Sequence, residues 1–159
     1  MGDHSSKQSW RTLANFSLSS DSGNEILAME KVVAAVGGID LPEPYLQRLK
    51  TAVAETAMNA IEHGNQYRPD LTFKIEVRLS ASALSVLITD QGGGREIPPP
   101  ETPDLEAKLA GLQSPRGWGL FLIKSMVDEM RDVNDGIHHT VELIFNLPEG
   151  HDDRPSEPG

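Results

Sequence analysis

Two stretches of alternating apolar and polar residues, Phe73 to Leu79 and Leu84 to Thr89, are separated only by Ser80, Ala81, Ser82 and Ala83. A link that short joins antiparallel neighbours, because a parallel pair needs a crossover of about a dozen residues. The sheet is therefore built from hairpins, and the helices must pack beside it rather than alternate through it.

The remaining elements are read against that hairpin. Leu13 to Ser19 suits a strand anchored by Leu13, Phe16 and Leu18, and the Ser/Asp/Gly cluster after it can start a helix over Asn24 to Val36. Gly37-Gly38 ends that helix, the LPEP segment breaks the chain, and a longer helix runs from Pro44 to His63 with Gly64 as its C-cap. A helix over Trp118 to Met130 carries Leu120, Ile123, Val127 and Met130 on one face, followed by strands over Arg131 to Asn134 and His139 to Leu147. The order predicts an α+β fold, a two-layer sandwich with a mainly antiparallel sheet and helices on one face.

At 159 residues, the chain holds one core and not two ordinary domains. Residues 11–147 form the expected domain, between a polar N-terminus (1–10) and a Pro/Gly-rich, charged tail (148–159) expected to be disordered. Asp and Glu number 24 against 14 Lys and Arg, a net charge of -10 that argues against a nucleic-acid backbone or an anionic membrane as the main partner. Without cysteine there is neither a disulfide framework nor a thiolate metal site, and a reduced, cytoplasmic setting is the simplest expectation. No stretch approaches the ~20 apolar residues that span a bilayer.

Chemistry gathers at three places. On the helix over Pro44 to His63, Leu46, Leu49, Val53, Ala57 and Ala60 form one stripe, and Glu55, Asn59, Glu62 and His63 lie opposite. Such a polar stripe is ordinarily a solvated face. Glu55 and Asn59 are nevertheless one turn apart, so a carboxylate suited to taking a proton and an amide oxygen suited to Mg²⁺ can face one pocket. His63 is read as a helix-end residue meeting unpaired carbonyls, not as a catalyst.

The second place is Asp90, which ends an apolar strand and runs into Gly92, Gly93 and Gly94. A carboxylate there can accept a hydrogen bond from an adenine amino group, although the same residues suit a plain turn. The third is RGWGLFLI, in which Gly117 and Gly119 stand where a loop enters a helix. Free N–H groups at that end suit phosphate, with Arg116 adding a charge-assisted contact. A glycine hinge before a core helix is the competing reading. The loop between the last two places is too long for an ordinary connection and has one brief helical possibility, at Asp104 to Leu112. From these residues alone, the chain is an α+β nucleotide or phosphate binder with a glycine-bordered lid.

The segments ETAMNAIEHGN, DQGGG and RGWGLFLIKSMVDEM stand in the order and rough spacing of the N, G1 and G2 boxes of the GHKL ATPase superfamily. The ExxxNAxxHG form of the first and the RGxGLxLI form of the third most resemble bacterial anti-sigma factor serine/threonine kinases, with similarity over Leu13 to Leu147. That resemblance implies Glu55 as general base, Asn59 as the Mg²⁺ ligand and Asp90 as the carboxylate that reads the adenine of ATP. It implies that Gly92, Gly94, Arg116, Gly117, Gly119 and Leu120 line the nucleotide and that residues 95–116 form the lid. Thr140 is similar to the family's threonine beside adenine, with His138 and His139 where small polar residues are common. The implied reaction is phosphorylation of a serine or threonine on a STAS-domain anti-anti-sigma partner, in a protein that also binds a sigma factor and forms a homodimer. A nucleotide-sensing module without transferase activity, or a switch kinase acting upstream of a phosphatase, carries the same boxes. A sensor histidine kinase would need a helical dimerisation segment that the short stretch before the first strand does not supply.

Overall fold

The computed structural model describes residues 9–93 and 115–148, with only the backbone described for 115–120. Strand β1 (Arg11–Ser19) leads into α1 (Asn24–Ala35) and α2 (Glu43–Asn59), which continues through a π-helical turn over Ala60–Gly64. Strands β2 (Thr72–Leu79) and β3 (Ala83–Asp90) follow, then α3 (Pro115–Met126), β4 (Glu129–Asn134) and β5 (His139–Asn146). The five strands form one sheet in the order β1-β2-β3-β5-β4, and every neighbouring pair is antiparallel. The α+β sandwich expected from the short β2–β3 link is the observed fold.

Ser80 makes that link. Its N–H donates to the Ala83 carbonyl at 2.9 Å, and its hydroxyl accepts from the backbone N–H groups of Ser82 and Ala83 at 3.2 and 3.1 Å. The alternation on either side then sends Phe73, Ile75, Val77 and Leu79 of β2, with Leu84, Val86 and Ile88 of β3, into the core. They meet Ala28 and Val32 of α1, Leu49, Ala52, Val53 and Ala57 of α2, and Ile123 of α3. Tyr45, at the start of α2, donates its buried hydroxyl to the Phe145 carbonyl at 3.1 Å and so ties the helical layer to β5. On the outer face Glu142 accepts from Arg78 at 3.0 Å and from the Ser85 hydroxyl at 2.6 Å.

The boundaries of α3 and β4 differ from the sequence reading. Helix α3 starts at Pro115, three residues before the expected Trp118, and stops at Met126 rather than Met130. Proline at a first helical position suits the start, since its missing N–H would have no partner there. The early stop follows from Asp128, whose N–H donates to the Ile144 carbonyl at 2.9 Å while its carboxylate accepts from the Asn146 N–H at 2.8 Å. Those bonds commit the chain to β4 from Glu129, two residues before the expected Arg131.

Gly64 is not the C-cap expected, since it lies inside the π turn and Asn65 follows as the cap. The Asn65 N–H donates to the Ala60 carbonyl at 2.8 Å and the Tyr67 N–H to the Ile61 carbonyl at 2.8 Å, and the left-handed residues are Gln66 (φ 54) and Tyr67 (φ 60). Among the described residues no helix is long and apolar enough to cross a membrane. A side chain at left-handed φ costs about 1–2 kcal/mol, part of which glycine recovers. Gln66→Gly, at an exposed position, should therefore raise unfolding free energy by about 0.5–1 kcal/mol in urea denaturation, and a loss of stability would contradict this account of the turn.

Candidate nucleotide site

Strand parity puts an acid on the core side of the sheet. Residues 84, 86, 88 and 90 of β3 share one face, so Asp90 continues the apolar row of Leu84, Val86 and Ile88 and is only 3% exposed. A carboxylate so buried must be hydrogen-bonded. Asp90 Oδ1 accepts the Gly92 N–H at 2.8 Å, and Oδ2 lies 3.1 Å from Nδ1 of His139, its direct partner across β5. Nε2 of His139 is 2.7 Å from Oδ1 of Asp132 on β4, which completes a row Asp132–His139–Asp90 across three strands. Burial by itself would lower the His139 pKa, but the two carboxylates outweigh it and hold the imidazole above its ordinary value.

The end of α2 closes on this acid. A Cβ built on Gly64 would coincide with the Asp90 carboxyl group, so glycine is required here for space rather than for its backbone angle. Next to it Asn65, fully buried, donates its amide to the Ser20 hydroxyl at 2.7 Å and to the Thr72 carbonyl at 3.1 Å. Its side-chain carbonyl accepts the Gln91 N–H at 2.8 Å. One side chain thereby clamps the end of α2, the entry to β2 and the exit of β3. The chain after Asp90 also docks onto the β4–β5 hairpin, because the Gly93 N–H donates to the Ile137 carbonyl at 3.1 Å and a Cβ on Gly93 would strike the Ile137 and His138 backbone.

Of the site residues expected from sequence, Asp90 and Gly92 meet at the strand end, and the helix carrying Glu55 and Asn59 ends against them. Glu55, Asn59 and Glu62 are half-buried, which separates them from an ordinary solvated stripe, whereas His63 is exposed and 4.0 Å from Glu62. Thr140 is not brought to this face. It pairs with Thr89, its hydroxyl oxygen 2.9 Å from that of Thr89, and parity turns both away from Asp90. His139 occupies the place beside the acid. Gly117, Gly119, Arg116 and Leu120 lie in α3, with Arg116 and Gly117 in its first turn, and α3 packs against α2. Gly94 and most of the expected lid, including the helical possibility at 104–112, lie outside the described residues, as do the expected N-terminal residues 1–8 and tail residues 149–159.

Sequence reading missed Asn65, Gly93, Asp132 and His139. The HGN triplet held the signal for Asn65, since a polar residue between a helix end and a turn commonly bonds to backbone. Nothing local marked His139 or Asp132, which meet Asp90 only through strand pairing.

The Gly64 contact is testable by stability. Gly64→Ala should cost about 2–3 kcal/mol by overpacking, measured by chemical denaturation. Gly38→Ala, where an added Cβ meets nothing within 4 Å, should stay within about 0.5 kcal/mol. Equal effects at the two positions would refute the steric role of Gly64.

Comparison with known proteins agrees with this architecture. The histidine kinase-like ATPase domain family matches residues 19–145. An anti-sigma F factor of Clostridium botulinum is 31% identical over 114 residues, covering 72% of this chain and 79% of the relative. Anti-sigma F factors of Anoxybacillus flavithermus (32% over 129 residues, 79% and 86%) and Halalkalibacterium halodurans (29% over 135 residues, 84% and 91%) are similar. The crystal structure of the RsbU and RsbW domains of a Mycobacterium tuberculosis protein superposes with a TM-score of 0.56 over 84% of this chain. The chain spans about a third (32%) of that structure, and at 16% identity the likeness is one of fold. Matched along most of its length, the chain belongs to the anti-sigma factor family of histidine kinase-like ATPase domains.

Proposed function

We propose that this protein is an ATP-dependent serine/threonine kinase and anti-sigma factor, which binds a sigma factor and phosphorylates a STAS-domain anti-anti-sigma partner. The observation that carries the reading is the joint of α2 and β3. A helix bearing Glu55 and Asn59 one turn apart ends, through Gly64, on a buried carboxylate that no packing need explains. Relatives that bear the name anti-sigma F factor along most of their length support it.

In this reading Asp90 accepts a hydrogen bond from the exocyclic amine of adenine. Among the described residues, its Oδ1 and Oδ2 each have one partner within 3.1 Å, which leaves a second lone pair on each. Gly92, Gly94, Arg116, Gly117, Gly119 and Leu120 line the nucleotide, while Thr140, turned to the other face, takes no part. Asn59 supplies an oxygen to Mg²⁺. Among the described residues no group of three or more His, Asp or Glu side chains is placed to hold a metal ion, as suits a cation that relies on one or two protein oxygens and on phosphate. The ion would neutralise charge on the phosphates.

Glu55 accepts the proton of the partner's seryl or threonyl hydroxyl as its oxygen bonds to the γ-phosphorus and the bond to the β-phosphate oxygen breaks. Most of the rate then comes from positioning and charge stabilisation. The net charge of -10 favours partners with basic contact surfaces, and the homodimer implied by the family belongs to the same proposal.

Incubation with Mg-ATP and the STAS proteins of the same genome tests this directly. Wild type should transfer phosphate to one of them. Glu55→Gln should bind nucleotide within a few-fold of wild type and lose transfer by at least about 100-fold, while Asn59→Ala should weaken Mg-dependent binding and turnover together. Undiminished transfer by Glu55→Gln would remove the base assignment, and binding without transfer to any STAS protein would leave a nucleotide-sensing module.

A further inference from the structure

The row Asp132–His139–Asp90 has a property that neither the fold nor the phosphoryl transfer requires. Both ring nitrogens of His139 face carboxylate oxygens, Nδ1 at 3.1 Å from Asp90 and Nε2 at 2.7 Å from Asp132. A neutral imidazole has a single N–H, so in that form one contact sets a ring lone pair against a carboxylate oxygen. Only the imidazolium donates to both. Asp132 is partly exposed, its side chain at 36%, and can turn to water, whereas Asp90 at 4% cannot.

We propose that His139 is a positioning residue of the nucleotide site, whose imidazolium, braced by Asp132, holds the Asp90 carboxylate in the orientation that receives the purine amine. This deepens the ATP-binding reading of Asp90 and rests on it. With the Gly92 N–H on one oxygen and Nδ1–H of His139 on the other, rotation of the carboxylate is fixed and the remaining lone pair of each oxygen has a set direction. When the ring loses a proton, Asp90 and Asp132 compete for the N–H that is left. In the tautomer that keeps the 2.7 Å bond to Asp132, Nδ1 repels Asp90 and the acceptor geometry is lost.

Among the described residues, the charged groups that meet the ring are Asp90 from β3 and Asp132 from β4. On the adjoining turn, Asp135 is occupied by the backbone N–H groups of Ile137 and His138, and on the same strand Glu142 is paired with Arg78 across the sheet. The folded imidazole is held above its ordinary value, so the imidazolium is the major form below about 6.5 and gives way to the neutral ring as pH rises through the folded value. Nucleotide affinity therefore declines from neutral to alkaline pH. By reciprocity, nucleotide raises the His139 midpoint by the logarithm of the affinity ratio between the two ring forms.

The test is the imidazole titration of His139 by NMR, with and without saturating Mg-ADP, its signal assigned as the one of five histidines missing from His139→Gln. Alongside it, the dissociation constant of Mg-ADP is measured from pH 6 to 9. The expected outcome is an affinity loss of roughly tenfold across the range and an upward shift of the midpoint of about one pH unit on binding. In Asp132→Asn, changed at a surface carboxylate, the loss should move to lower pH, following the loss of one carboxylate partner. The ionisation of ADP itself is common to both proteins and cannot move that midpoint. A His139 midpoint indifferent to saturating nucleotide overturns the proposal while the nucleotide reading stands. Absence of Mg-ADP binding at every pH overturns both.

Discussion

A carboxylate on the core side of a sheet is the constraint around which this molecule is arranged. Asp90 continues the row of Leu84, Val86 and Ile88, where an apolar residue would cost nothing. Removing one partner of a buried charge typically costs about 3–5 kcal/mol, so the surroundings of Asp90 are held to narrow choices. Gly92 must offer an N–H, residue 64 must lack a side chain, and position 139 must supply a donor. Each concession is explained by keeping an ionisable acceptor out of water and aimed, which is what recognition of a small polar group demands.

Asn65 converts that local arrangement into a joint. Its three side-chain hydrogen bonds link Ser20, Thr72 and Gln91, segments distant in sequence that all reach the same end of the sheet. The π turn before it is part of the device. A bond from Asn65 N–H to a carbonyl five residues back widens the helix end, and π turns of this kind are common where a helix delivers residues to a site. Asn59 is the residue before the π turn, so it stands one turn back from the contact of Gly64 with Asp90.

Most of the fold was legible in the sequence because its signals are local. The short link between β2 and β3, the period-two rows of those strands and the stripe of Leu49, Val53 and Ala57 are short-range patterns, and burial follows them. Failures occurred where a distant partner decides. The stop of α3 depends on the bonds of Asp128 to Ile144 and Asn146, which no helix propensity encodes. Gly64 was assigned to the wrong physical cause, since a glycine after a helix is usually left-handed and here it makes room for a carboxylate 26 positions later in the chain. Thr140 lies on the face opposite Asp90 and His139 beside it because strand parity, fixed by pairing with β3, decides which of two adjacent residues faces the acid.

The site thereby divides into two parts with different dependence on the fold. Glu55 and Asn59 ride on one helix turn, and their mutual geometry needs only α2 to be helical. Asp90, His139 and Asp132 come from three strands, and their alignment exists only when the β3–β5 and β4–β5 registers are both correct. A slip of one residue in either register would turn the row away from the helices. The helix pair and the strand-end row meet at the Gly64–Asn65 step, where the end of α2 closes on Asp90.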